Sequence, residues 1–97
     1  MNYHLITSFE WDDTKSEACF VERGFDFAYI THAFLDPQRQ VDIDHRWNYG
    51  ETRFQLHGRI AARVFVVIYT LRGTSARIIS ARKANSREVK AYDNRTH

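Results

Sequence analysis

The chain has 97 residues, 43% of them hydrophobic and 14% aromatic, which suffices for one domain over residues 1–97 that buries about 60–65% of its unfolded surface and leaves no room for a second. No run approaches about 18 apolar residues, and the opening Met-Asn-Tyr-His-Leu-Ile-Thr lacks the parts of a signal peptide, so a cytoplasmic location without membrane contact is expected. The formal charge of +2 hides a division: residues 1–51 hold 4 Lys and Arg against 10 Asp and Glu, whereas residues 52–97 hold 10 against 2. Most of the second set are arginines interleaved with strand-forming residues, a pattern that predicts a folded cationic surface for a polyanion, nucleic acid first, or for an acidic partner that mimics one.

In chain order, Phe9-Glu10-Trp11 reads as a short strand. Asp12-Asp13 supplies N-cap oxygens to a first helix, with Thr14 and Glu17 at capping-box spacing and Gly24 as its stop. Asp26 caps a second helix in which Phe27, Ile30 and Phe34 form a buried stripe ending at Asp36-Pro37. The period then becomes two. Val41, Ile43, His45 and Trp47 alternate with charged residues up to a turn at Asn48-Tyr49-Gly50.

From 51 to 60, Thr52, Phe54, Leu56 and Ile60, with Gly58, form one face, and Glu51, Arg53, Gln55, His57 and Arg59 the other. Residues 64–69 are apolar throughout, as in a central strand covered on both faces, and Arg72-Gly73-Thr74-Ser75 turns the chain. A strand over 77–83 follows, in which simple alternation puts Arg77 and Lys83 on one face and Arg82 on the other. Asn85 caps a last helix, with Glu88 three positions on and Val89 and Tyr92 inward. The expected fold is α+β: an antiparallel meander of about four strands plus a short N-terminal strand, with two N-terminal helices and one C-terminal helix packed on one side.

Two readings of the polar row Glu51, Arg53, Gln55, His57 stand side by side. A strand sets alternate side chains about 6.5–7 Å apart, close enough for several to hold one phosphodiester, and RNA cleavage needs only a base for the 2′-hydroxyl, cations for the phosphate and an acid for the leaving oxygen. The other reading is a charged face shown to water. Arg82 has a structural alternative as well, an ion pair with Glu88 or Asp93. His45 and His57 could meet across a hairpin, but no ligand set accompanies them, so neither a metal site nor a cofactor is expected. His4 and His97 fall at the chain ends; Tyr49 and Tyr92 could stack on bases or pack in the core.

Phe9-Glu10-Trp11-Asp12-Asp13, Gly24-Phe25-Asp26-Phe27, Asp36-Pro37, Gly50-Glu51-Thr52-Arg53, Gly58 and above all residues 77–84, followed by Glu88 and Tyr92, resemble the BrnT family, the toxin half of bacterial type II toxin–antitoxin pairs. The resemblance runs from about residue 8 to residue 93. It implies a RelE-like, metal-free ribonuclease that arrests translation, and a BrnA-type antitoxin, a ribbon-helix-helix dimer through which alone the toxin meets operator DNA. Carried onto this chain, it marks Glu51, Arg53, Arg77 and Arg82, to which the strand argument adds His57 as an alternative proton acceptor. Arg59, Arg72, Lys83 and Arg87 are the further cations expected on RNA. Two departures stand out: Glu22-Arg23 replaces the Lys-His common before the first helix's glycine, and His57 occupies a position usually aliphatic. The first leaves room for a catalytically silent partner acting in operon repression, and a plain RNA-binding module is a third reading.

Overall fold

The computed structural model describes residues 5–46 and 50–95. Among them, a five-stranded sheet in the order β1–β5–β4–β3–β2 is formed by β1 (Ser8–Trp11), β2 (Gln40–Ile43), β3 (Arg53–Ile60), β4 (Arg63–Arg72) and β5 (Ser75–Lys83). The helices are α1 (Asp13–Arg23), α2 (Phe27–Ile30), which runs into a 3-10 segment at Thr31–Leu35, and α3 (Ser86–Arg95). The α+β reading holds. Strands β2 to β5 form the antiparallel meander, and β1 joins its β5 edge in parallel, from Ser8 opposite Ser75 to Trp11 opposite Ile78.

The helix boundaries follow from capping chemistry. Asp12 Oδ1 accepts from the Lys15 N–H at 3.0 Å, and Gly24, at φ 87°, closes α1 in the left-handed region that glycine enters without steric cost. Asp26 Oδ1 accepts from the Tyr29 N–H at 2.9 Å. Phe27, Ile30 and Phe34 are buried as the stripe predicted, but the second helix tightens after Ile30. There Thr31 Oγ1 donates to the Ala28 carbonyl at 2.7 Å and His32 Nδ1 lies 3.0 Å from the Tyr29 backbone carbonyl, side-chain contacts that compete with a regular helical ladder. The tightened segment presses its backbone onto β3 at Gly58, where any Cβ would strike the Ala33 carbonyl oxygen.

Between these helices and the sheet lies the core. Phe34 meets Phe9 and Tyr69 edge-on at 4.9 and 5.0 Å, Phe25 meets Phe65 at 5.0 Å, and Ile30, Ala33 and Val67 are fully enclosed. β4 is buried on both faces: Phe65, Val67 and Tyr69 enter this core, and Val64, Val66 and Ile68 are buried on the reverse.

Three expectations are corrected. α3 is not on the side of the other helices; its Glu88 reaches Arg82 and His57, and Arg59 lies over its Tyr92 ring, all on the reverse face. β2 stops at Ile43 because the Asp44 carboxylate accepts from the Arg46 backbone N–H at 3.2 Å and from its guanidinium at 2.8 and 2.9 Å, turning the chain out of the ladder. His57 is registered with Gln40, so His45 and His57 do not face each other. Trp47, the Asn48-Tyr49 part of the turn, the stacking role of Tyr49, and His4 and His97 lie outside the described residues.

Candidate functional site

The reverse face gets its chemistry from one irregularity. β4 pairs Tyr69 with Ile78 and Ile68 with Ser80, so Ile79 is an extra, bulged residue. It falls where β5 loses β1, whose pairing ends at Ile78, and gains α1, whose Cys19 thiol lies 3.8 Å from the Ala81 carbonyl. A bulge inserts one residue and reverses the facing of all that follow. The alternation read from sequence therefore fails: Arg77 and Arg82 share a face, and Lys83 stands on the other. Across the reverse face run the rows Arg53–Thr70–Arg77, Gln55–Ile68–Ser80 and His57–Val66–Arg82.

Over Val66 and Ile68 is a hollow of about 80 Å³, walled by Gln55 and Ser80 and rimmed by the guanidinium-bearing side chains of Arg23, Arg46 and Arg82. Arg23 comes from the last turn of α1 and Arg46 from the loop after β2, and neither was singled out as a site residue in the sequence. The signal for Arg23 was present, since it occupies half of the Glu22-Arg23 departure. For Arg46 there was none, because it belongs to the acidic half of the chain. An apolar floor, two neutral hydrogen-bonding walls and a cationic rim suit an anion whose charge spreads over several oxygens.

Glu88 organises the α3 end. It accepts from Arg82 through both oxygens at 2.7 and 2.8 Å while exchanging capping-box bonds with Asn85, at 2.9 and 2.8 Å. The Arg82 bonds hold its carboxyl pKa at about 2, so it is ionised throughout the physiological range. In return Glu88 raises the pKa of the Arg82 guanidinium, against burial and the nearby Arg46 cation. His57 lies alongside with its Nε2 3.9 Å from Glu88, too far for a hydrogen bond, and its buried Nδ1 has no hydrogen-bond partner among the described residues. Burial lowers its pKa below 6.5, with Glu88 and Asp42 opposing, and favours the neutral ring at pH 7.

Of the residues marked from sequence, Arg53, His57, Arg77 and Arg82 come together on this face; only Arg82 lines the hollow. Glu51 stands just before β3 with its carboxylate 3.4 Å from Arg53 Nε. Arg77 and Arg72 share Glu10 at 3.3 and 3.5 Å. Arg59 fastens α3, bonded to Asp93 at 3.1 Å with its guanidinium 5.2 Å from the centre of the Tyr92 ring, whose hydroxyl donates to Asp36. Arg87 is exposed on α3, and Lys83 sits on the α1 side. Most of the expected cationic surface is thus already paired with carboxylates. The longer contacts of Arg53, Arg72 and Arg77, at 3.3 to 3.5 Å, contribute about 0–1 kcal/mol each, whereas Arg82 is held by two short bonds to Glu88 and keeps further donors. Among the described residues, no three His, Cys, Asp or Glu side chains come together as metal ligands, and no helix is long and apolar enough to cross a membrane.

An arginine-rimmed hollow on the less covered face of a small α+β sheet fits the surface of an RNA-cleaving enzyme, and comparison with known families supplies the class, the ribonuclease toxins of type II toxin–antitoxin systems. The family model that matches is described as the ribonuclease toxin BrnT, and it covers residues 11–88. That is most of the chain, which therefore belongs to the BrnT family, as its motifs indicated. The matched stretch takes in Arg23, Arg46 and Arg82. No curated protein matches the chain.

Proposed function

We propose that the chain is a cytoplasmic endoribonuclease toxin that cuts RNA without metal, arrests translation, and is neutralised by a BrnA-like ribbon-helix-helix antitoxin through which alone it meets operator DNA. One observation carries the reading: the bulge at Ile79 brings Arg82 and Arg77 to the face that holds Arg53 and His57. The scissile phosphate sits in the hollow, where Arg23, Arg46 and Arg82 meet the charge that grows on its oxygens. Arg53 and Arg77, one row further along the strands, hold the neighbouring backbone.

Of the two proton acceptors, His57 shares a row with the floor residue Val66, whereas Glu51 lies beyond the Arg53 row. Neutral His57 takes the 2′-hydroxyl proton, the 2′-oxygen bonds to phosphorus, and the bond to the 5′-oxygen breaks, leaving a cyclic phosphate and a 5′-hydroxyl protonated by water. Purified protein, free of antitoxin, is expected to cleave RNA equally with and without EDTA. A second reading, the silent partner that only represses its operon, draws on the ion pairs of Arg53, Arg77 and Arg82 and on Glu22-Arg23. It predicts intact RNA and no growth arrest on induction.

A further inference from the structure

On the α1 side, Lys83 belongs to a second site. The end of α1, the start of α2 and the adjoining ends of β4 and β5 enclose an open groove of about 390 Å³. Its floor is aromatic: Phe25 and Phe65 are packed edge to face and almost wholly buried, and Tyr29 meets Phe65 at 5.9 Å. Phe20 stands over it 57% exposed, next to Val21 at 77%, two apolar side chains left in water at the end of a helix. The rim carries Arg23, Arg63 and Lys83 against Asp26 alone. Among the described residues, Arg63 and Lys83 make no ion pair, unlike Arg53, Arg59, Arg72, Arg77, Arg82 and Arg95. Here the basic half of the chain keeps unneutralised charge, set beside exposed apolar surface.

Apolar area and cations in one groove call for an occupant with both complements. RNA fits poorly. Phe25 and Phe65 are engaged in the core with no free face for a base, Val21 offers nothing to stack on, and although Tyr29 is 41% exposed, the surface beyond Phe20 carries Asp13, Glu17 and Asp26, which repel a continuing backbone. A peptide segment with an apolar anchor and carboxylates on one flank fits all of it. We infer that this groove seats an acidic amphipathic segment of the antitoxin, with an apolar side chain against Phe20, Phe25 and Phe65 and carboxylates on Arg63 and Lys83. Arg23 borders both this groove and the hollow on the reverse face, so a carboxylate that draws it over removes a cation from the cleavage site without entering that site. The inference rests on the reading of the chain as an antitoxin-neutralised ribonuclease.

The test compares the parent with Phe20→Asp and Arg63→Glu, both at exposed positions outside the cleavage face. Each is induced alone, then together with the antitoxin encoded beside it, and the purified pair is titrated at low and high salt. Both variants are expected to arrest growth as the parent does. Phe20→Asp should weaken antitoxin binding about thirtyfold, and Arg63→Glu about tenfold with a flatter salt dependence. Parental affinity in both folded variants overturns the inference. So does a variant that binds antitoxin normally yet no longer cleaves RNA, since the groove then belongs to the substrate. A parent that binds antitoxin through these residues but never arrests growth defeats the ribonuclease reading and leaves the groove standing.

Discussion

The two faces of the sheet are closed by different physics. Against α1 and α2, β4 and its neighbours bury interlocking aromatic and aliphatic side chains. On the reverse, α3 covers one end with Tyr92 as its buried residue, and much of the remaining cover is arginine side chains fastened to carboxylates. Packed carbon resists changes of volume, whereas exposed ion pairs give way to any anion that offers comparable oxygens. Stability and ligand exchange are therefore assigned to opposite sides of the same strands.

Four substitutions sharpen or break that contrast, taken from the largest effect. Ile30→Ala opens a cavity in the fully enclosed core and should cost about 2–5 kcal/mol in denaturant unfolding, with cleavage per folded molecule unchanged. Arg82→Ala should do the reverse, raising the cleavage barrier by about 2.7–4 kcal/mol while the far-ultraviolet spectrum stays that of the parent. Parental toxicity in a folded Arg82→Ala protein removes the hollow from the mechanism.

His57→Leu comes next. It replaces a buried ring nitrogen without a partner, for an expected gain of about 1 kcal/mol at pH 7, and it should reduce cleavage. The pH dependence has a definite sign. The folded pKa of His57 lies below its unfolded value of 6.5, so the stability tied to the neutral ring is complete above 6.5 and is lost as pH falls toward the folded value; the leucine variant lacks that loss. Glu88 acts lower down. Its contribution is present above about 4.5 and disappears as pH falls toward about 2, in both proteins. The smallest effect belongs to Arg72→Ala, which removes an exposed contact at 3.5 Å and should change the melting free energy by about 0.2–1 kcal/mol, less in high salt.

Capping residues and apolar periods made most of the fold readable. The caps at Asp12, Asp26 and Asn85 stand where the sequence put them, and β4 is the central strand its apolar run predicted. Alternation could not reveal the bulge at Ile79, because nothing in Ile78-Ile79-Ser80 distinguishes an extra residue from a regular one; the cause is the change of neighbour along the β5 edge. The same limit applies to charge. Division along the chain suggested a basic surface from the second half, yet two of the three arginines at the hollow come from the acidic half. The Arg82–Glu88 pair was foreseen as an alternative; that it coexists with a site on the same arginine depends on the reach of α3, which no local pattern encodes.

The parallel seating of β1 has a consequence for biosynthesis. Thr7 bonds to Thr74 across 67 positions, and among the described residues β1 pairs with β5 alone. A nascent chain thus carries β1 unmatched until β5 has left the ribosome, and loop closure over such a span is slow. The same late-arriving strand supplies Ser80 and Arg82 to the hollow. The hollow is accordingly assembled only once β5 has emerged and paired.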